Sequence, residues 1–138
     1  MTYWIRAYNH KRFRVADFIR DFGFIDWHMT THFEVGDIVF LYATAPDSRL
    51  TFMMEVEQVN LNYLQIAKDE DYYKSQAYYD EWLSQRENQR YVRFAFLKAL
   101  TSTGLCLANL QEHGMARAPR SPRRLALETV DYIMRHLE

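Results

Sequence analysis

The sequence predicts an α+β fold in which a curved sheet or small barrel is flanked by helices. Strand patterns come in clusters with scattered helical patterns between them, not in a regular strand–helix alternation. The 138 residues are 49% hydrophobic and 16% aromatic, with only 4 Gly and 3 Pro, so the chain can bury a packed core. Because no Pro-, Gly- or Ser-rich stretch divides the sequence, we expect one domain over residues 1–138.

The first half of the chain carries several strand patterns and one helix pattern. Residues 3–8 are rich in aromatic and β-branched types, as strands are. Apolar residues then recur at i, i+3, i+4 and i+7, which is one helix face, and Gly23 suits the left-handed stop. The members of that face are Val15, Phe18, Ile19 and Phe22. Further strands are predicted at 24–29, at the continuous apolar run 38–43, and at 50–59, where apolar and polar residues alternate.

The second half of the chain is richer in helix patterns. A helix is predicted over 71–89, a strand over 91–100 and a closing helix over 129–137, whereas residues 105–110 fit no single element. Within 71–89, Tyr72, Tyr79 and Trp82 recur at helical spacing. We expect these rings to pack against the sheet, and the alternatives are an aromatic lid over a pocket or a dimer surface.

Positive charge is concentrated near both ends of a chain whose formal net charge is only −1. Residues 1–16 contain Arg6, Lys11, Arg12 and Arg14 and no acid, and residues 113–127 contain Arg117, Arg120, Arg123 and Arg124 and no acid. We expect the two basic segments to share one face, and the alternative is two separate solvated patches. Because arginine forks suit phosphate oxygens, the second group is predicted to contact phosphates.

Several kinds of chemistry have no support in the sequence. His28 and His32 are spaced i, i+4, but no accompanying glutamate or CxxC motif completes a site, so no metal is expected. Cys106 is the single cysteine, which excludes an internal disulfide and favours a reducing cytoplasm. We predict no cofactor and no catalytic residue, because no glycine-rich phosphate loop, activated nucleophile or persuasive acid–base pair is present. The apolar runs are too short to span a bilayer, so no membrane partner is expected.

An ordered set of motifs runs along the chain. It comprises the opening YWI, Trp27, the strand VGDIVFLYAT, the following EVEQV and the closing RLALETVDYI. In these features the chain resembles the EVE domain of the PUA-like superfamily over nearly its whole length. More distantly, WIRAYNH followed by Asp26-Trp27 is similar to the YTH domain. The resemblance implies a PUA-like pseudo-barrel, with a curved mixed sheet and flanking helices, and a pocket that recognises a modified base in nucleic acid.

The resemblance also implies which residues bind the base. Trp27 and Tyr42 would form two walls of an aromatic cage, and stacking on such rings contributes about 1–3 kcal/mol per base. Asn9, after the first strand, would contact the polar edge of the base, with His10 beside it. These residues complete a predicted site in which aromatic walls hold the base and a polar group selects it.

We therefore expect a nucleic-acid-binding module in preference to an enzyme, with DNA or RNA carrying a modified base, such as a methylated one, as its partner. Three alternatives stay open. The first is an RNA-binding module of the ASCH or PUA type without preference for a modified base. The second is a small hydrolase that acts on a modified nucleoside. The third is an interaction protein that self-associates through its tyrosine-rich helix.

Overall fold

The computed structural model describes residues 1–137. In chain order the strands and α-helices are β1 Tyr3–Tyr8, α1 Val15–Phe22, β2 Phe24–His28, β3 Ile38–Ala43, β4 Arg49–Leu61, α2 Gln76–Gln85, β5 Tyr91–Ala99, α3 Leu107–Glu112, β6 Arg123–Arg124 and α4 Leu127–Met134. Short 3-10 turns occupy Glu70–Tyr72, Arg86–Asn88 and Thr103–Leu105.

The strands form a six-stranded mixed sheet in the order β2-β5-β4-β3-β1-β6, with helices flanking it. β1 runs parallel to β3 and antiparallel to β6, so that Trp4 lies opposite Arg124. β2 runs antiparallel to β5, and this register places Asp26 opposite Arg93. A mixed sheet with helices beside it confirms the predicted α+β class.

The chain divides into two compact units. The first unit comprises residues 1–8, 37–54 and the chain from residue 97 onward. Within it β3 is buried along its whole length, as expected for a strand with a neighbour on each side. The core cluster of this unit is Ile5, Ile38, Phe40, Tyr42, Leu50, Leu100, Leu105, Leu110, Met115, Tyr132 and Ile133.

The second unit comprises residues 9–36 and 55–96 and contains α1, β2, α2, the end of β4 and most of β5. Its buried apolar residues include Val15, Phe18, Ile19, Ile25, Phe33, Val56, Leu61, Val92 and Phe94. Gly23 ends α1 with φ +76°, and its amide donates to the carbonyl of Ile19 at 2.7 Å, which confirms the predicted stop.

The helix predicted over 71–89 is interrupted in the structure, so that prediction was wrong for its first part. Residues 12–14 pair with residues 72–74: the amide of Arg14 donates to the carbonyl of Tyr72 at 2.8 Å, and that of Lys74 to Arg12 at 3.0 Å. This pairing holds Tyr73 in an extended conformation after the 3-10 turn. Ser75 then caps α2 by accepting a hydrogen bond from the Tyr78 amide at 3.2 Å. Long-range backbone pairing has overridden local helical spacing.

The remaining differences lie in the second half of the chain. The ambiguous segment 105–110 forms the end of a 3-10 turn and most of α3, and the closing helix spans Leu127–Met134. β6, which the sequence did not predict, is a two-residue strand paired with β1. Within residues 1–137, none of the helices is long and apolar enough to cross a bilayer.

Candidate functional site

A cleft of about 510 Å³ opens in the second unit between α2 and the loop formed by residues 62–69. We call it the α2 cleft. Its aromatic lining residues are Tyr63, Tyr79 and Trp82. Its charged lining residues are Lys68, Asp69, Glu70 and Arg86. A flat ligand therefore meets apolar ring faces and polar groups of both signs within one cavity.

Trp82 is held to the sheet by a hydrogen bond. Its indole N–H donates to the hydroxyl of Tyr91 in β5 at 2.9 Å, and Tyr91 is only 2% exposed. The Tyr79 ring lies 5.7 Å from the Trp82 ring, with 32° between their planes. Because Tyr79 and Trp82 are half-buried and fixed on one helix, they present a preorganised surface for stacking.

Arg86 adds a cation to this aromatic surface. Its guanidinium carbon lies 4.7 Å from the ring centroid of Tyr63 and 5.9 Å from that of Trp82. Cation–π attraction holds the guanidinium beside the cleft while its N–H groups can still donate to an oxygen of a ligand.

Asp69 places a buried carboxyl group in the wall of the cleft. The residue is 8% exposed, and its own backbone amide favours the ionised form of its carboxyl group. Burial raises the pKa of Asp69 to about 6; the amide hydrogen bond opposes this rise and the charge of Asp26 adds to it. Since a carboxylate accepts several hydrogen bonds, this one retains capacity for donors on a ligand.

A buried ion pair behind the cleft positions the 62–69 loop. Arg93 donates to the two carboxylate oxygens of Asp26 at 2.7 and 3.0 Å, and the Asp26 side chain is 3% exposed. Asp26 also accepts from the amide of Ala67 at 3.0 Å, and the Arg93 Nη2 that contacts Asp26 also donates to the carbonyl of Gln65 at 3.4 Å. The cross-strand pair of β2 and β5 therefore holds the segment that carries Asp69.

A second, smaller cleft of about 210 Å³ shares Trp82 with the first. Arg12 lies in its wall, 3.2 Å from a carboxylate oxygen of Glu81 and 4.7 Å from the ring centroid of Tyr78. Its other lining residues are Tyr73, Gln85 and Gln89. Aromatic and basic groups thus continue beyond the α2 cleft along the same unit.

The two predicted cage walls lie in different units. Trp27, in β2 of the second unit, is half-buried and meets Phe94 edge to face, with 6.0 Å between ring centroids and 75° between planes. Tyr42, in β3 of the first unit, is 2% exposed and belongs to the core cluster. A base could stack on Tyr42 only after the packed core had opened, so its role as a wall stays a prediction.

Asn9 and His10 lie in the turn that follows β1. The Asn9 side chain accepts from the Lys11 amide at 2.9 Å, and its carbonyl accepts from the Arg12 amide at 3.1 Å, so Asn9 stabilises the turn. His10 lines a small cleft of about 190 Å³ with Arg14, Val15, Ala16, Asp17 and Lys74. Both belong to the same unit as Trp27, and their contact with a base stays a prediction.

The C-terminal arginines lie in and before β6. Arg117, Arg120 and Arg124 are exposed, whereas Arg123 is half-buried and donates to the carbonyl of Arg117 at 2.7 Å. The guanidinium of Arg124 lies 5.5 Å from the Trp4 ring centroid. β6 beside β1 brings the two chain ends together within the first unit, and the role of these arginines as phosphate contacts stays a prediction.

The N-terminal basic residues have local roles. In β1, burial lowers the pKa of Arg6 to about 10. Arg12 pairs with Glu81, as described above. Arg14 donates to Asp17 at 3.0 Å and to the carbonyl of Asp71 at 2.9 Å, and so supports the pairing of residues 12–14 with 72–74. These ion pairs reduce the positive charge that this segment can offer to a polyanion.

Sequence reasoning offered Tyr79 and Trp82 as part of an aromatic lid over a pocket, but it did not join them to Arg86 and Asp69. Tyr79, Trp82 and Arg86 fall at i, i+3 and i+7 on one helix face, a spacing that could have indicated a shared surface. Asp69 carried no signal, because it lies in a polar run whose burial depends on contacts remote in sequence. Among residues 1–137, no three His, Cys, Asp or Glu side chains are grouped as metal ligands would be.

The fold is similar to that of several solved structures. A crystal structure of an ASCH protein from Zymomonas mobilis matches with a TM-score of 0.68 at 14% identity, covering 99% of this chain and 96% of that one. A hypothetical protein from Leishmania major matches with a TM-score of 0.66 at 18% identity, covering 98% and 93%. A protein from Rhodopseudomonas palustris matches with a TM-score of 0.62 at 11% identity, covering 99% and 93%.

These likenesses establish the fold. The similarity covers nearly the whole chain and confirms the predicted α+β fold, in which helices flank a curved mixed sheet. At identities between 11% and 18%, structural similarity establishes the architecture and does not establish the function. No family model matches the sequence, and no curated protein matches it either.

Proposed function

We propose that this protein binds single-stranded nucleic acid and holds one nucleobase in the α2 cleft. The proposal rests on one observation, which is that a single cavity of about 510 Å³ is lined by Tyr79, Trp82, Asp69 and Arg86. Aromatic rings stack on any base, and each stacked base contributes about 1–3 kcal/mol. Buried polar groups such as Asp69 then discriminate between bases, because a base that leaves them unpaired binds more weakly.

We propose that the nucleic-acid strand continues from the bound base into the smaller cleft. Trp82 lines both clefts of the second unit, and the smaller one adds Arg12 and further aromatic side chains. Alternating aromatic rings and cations are typical of surfaces that bind single-stranded nucleic acid.

The proposed phosphate contacts of the first unit remain Arg117, Arg120, Arg123 and Arg124, since three of these four side chains are exposed.

The EVE resemblance supports a finer proposal, in which the bound base is modified. A methyl group that enters an apolar pocket contributes about 1 kcal/mol, so we expect a several-fold preference for the modified base over its parent. Titrations with matched methylated and unmodified strands of DNA and RNA measure this preference. Equal affinities across several modification types would favour the plain ASCH or PUA-type RNA-binding alternative.

Replacing Tyr79 tests the position of the base. Tyr79→Ala removes a stacking face, and we expect the affinity for a short single strand to fall by about 1–3 kcal/mol. Phe22→Ala is the matched control, because Phe22 is an aromatic residue of the same unit that is 41% exposed and lies outside both clefts. Fluorescence anisotropy of a labelled oligonucleotide measures binding, and circular dichroism establishes that both variants fold. If both variants bound the oligonucleotide with equal affinity, the proposal that the base lies in the α2 cleft would be refuted.

One observation favours a hydrolase as a second candidate. Because burial raises the pKa of Asp69 to about 6, this carboxyl group could exchange a proton with a bound nucleoside near neutral pH. Incubation with modified nucleosides, followed by chromatography of the products, tests this candidate. Product formation that is lost in Asp69→Asn would establish it, whereas intact nucleosides would leave binding as the function.

A further inference from the structure

We infer that the α2 cleft selects guanine and that Asp69 recognises the adjacent N1–H and N2–H donors on its Watson–Crick edge. The inference rests on the proposed function and specifies its ligand. Asp69 is 8% exposed, and its carboxylate accepts hydrogen bonds and donates none while it is ionised. The matching ligand group must therefore present donors, and two adjacent donors match the two carboxylate oxygens better than one.

Among the four standard bases, guanine presents this pair of donors on one edge. Adenine and cytosine each offer one exocyclic amine, but their neighbouring ring nitrogen is an acceptor and would face the carboxylate lone pairs. Uracil offers one ring N–H between two carbonyl oxygens. In single-stranded nucleic acid the Watson–Crick edge is free for such contacts, so Asp69 can distinguish the bases directly.

The other charged groups of the cleft fit the same ligand. Guanine carries the carbonyl O6 beside N1–H, and this oxygen needs a donor next to the carboxylate. Lys68 and Arg86 line the cleft together with Asp69 and supply such donors. Tyr79 and Trp82 offer ring faces on which the purine can stack.

Charge balance disfavours a cationic ligand. Lys68 and Arg86 offset the charges of Asp69 and Glu70 in the lining, so the cleft has no net negative charge to attract an arginine side chain or a positively charged methylated base. A neutral base with an asymmetric edge matches this arrangement better than a guanidinium or an ammonium does.

A series of single-base changes tests the inference. Anisotropy titrations at pH 7.5 would use eight-nucleotide strands of uridine or thymidine with one central guanine, hypoxanthine, adenine or 1-methylguanine. We expect guanine to bind about 5-fold to 150-fold more tightly than adenine, which corresponds to the range for a bidentate contact. Hypoxanthine, which lacks the 2-amino group, should lie between them, and 1-methylguanine, which lacks N1–H, should lose most of the advantage.

Two variants identify the group responsible. Asp69→Asn should bring guanine to within about threefold of adenine, because an amide offers one acceptor oxygen and adds its own donors. Glu70→Gln is the matched control: it makes the same change of charge in the same cleft at an exposed neighbour, and it should retain the guanine preference. Loss of the preference in both variants would mean that overall charge, not edge recognition, is responsible, and the inference would fail.

The outcomes separate this inference from the proposed function. Binding that depends on Tyr79 but is equal for all four central bases would overturn guanine selection and leave nucleic-acid binding standing. Absence of binding to every strand would overturn both. Equal weak binding of all strands, together with Asp69-dependent binding of a labelled arginine-containing peptide, would assign the cleft to a basic protein segment and refute the inference.

Discussion

Asp69→Asn should stabilise the folded protein at neutral pH. Burial raises the pKa of Asp69 from the ordinary 3.8 to about 6, so the folded protein binds this proton more tightly than the unfolded chain does. The stabilisation that proton binding provides is complete below about pH 3.8 and is lost as the pH rises through about 6. At pH 7.5 the carboxylate is therefore buried as a charge, at a cost that the neutral asparagine avoids.

The size of this effect follows from the pKa difference. At about 1.36 kcal/mol per pKa unit, the difference amounts to about 3 kcal/mol, and relaxation around the asparagine reduces this, so we expect a gain of about 1–3 kcal/mol at pH 7.5. The gain should fall to about half by pH 5, because Asp69 is then largely protonated in the folded protein. A buried group that destabilises the fold while serving a ligand is a common feature of binding sites.

Urea unfolding between pH 7.5 and pH 5 measures the gain. Glu70→Gln is the control, since this exposed neighbour should change stability by less than about 0.5 kcal/mol at any of these pH values. A variant Asp69→Asn that is less stable than the parent at pH 7.5 would refute the reasoning. So would a gain that stays constant down to pH 5, because the stabilisation could not then come from removing a buried charge.

Three further predictions concern residues outside the lining of the α2 cleft. Asp26→Ala leaves the Arg93 charge buried without its partner, so the free energy of unfolding should fall by about 3–5 kcal/mol in urea titrations, and a loss below about 1 kcal/mol would contradict a buried pair. Trp27→Ala should weaken oligonucleotide binding by about 1–3 kcal/mol if Trp27 is a cage wall, and unchanged affinity with lowered thermal stability would identify it as a packing residue. Replacing both Arg117 and Arg120 by alanine should reduce the slope of log affinity against log salt by about 1.4 for a single strand while base preference is retained, and an unchanged slope would show that these arginines contact no phosphate.

The ion pair behind the cleft explains how a loop can present a buried carboxyl group. Asp26 and Arg93 face each other because of the β2–β5 register, and each binds the backbone of the 62–69 loop. The pair therefore links a sheet contact to the position of Asp69. Since Asp26 also raises the pKa of Asp69, the same residue influences both the geometry and the ionisation of the site.

Much of the secondary structure could be predicted from the sequence because short-range spacing determines it. Of the predicted apolar face, Val15, Phe18 and Ile19 are buried, whereas Phe22 at the end of the helix is 41% exposed. Gly23 ends α1 in the left-handed conformation that glycine adopts without steric cost. The run 38–43 is a fully buried strand, as its uninterrupted apolar character indicated. In these segments local preference and tertiary packing agree.

Local spacing was insufficient where distant segments compete for the same backbone. Residues 72–74 lie within a helical pattern, yet they pair with residues 12–14 and α2 begins only at Gln76. β6 forms because the edge of β1 can pair with Arg123 and Arg124. A strand of two residues is too short to show the alternating sequence pattern that predicts a strand. Pairing across some sixty residues cannot be read from an eight-residue window.

The sequence by itself determined the α+β class, most helix and strand positions and the presence of clustered aromatic and basic residues. The tertiary structure alone decided which of these groups lie together. Tyr42 ends an apolar strand and was a candidate cage wall, but its ring lies in the core cluster of the first unit, 2% exposed. Asp69 belongs to a polar run and became the buried acceptor of the α2 cleft. Burial is a property of the packed surroundings, and those surroundings come from residues remote along the chain.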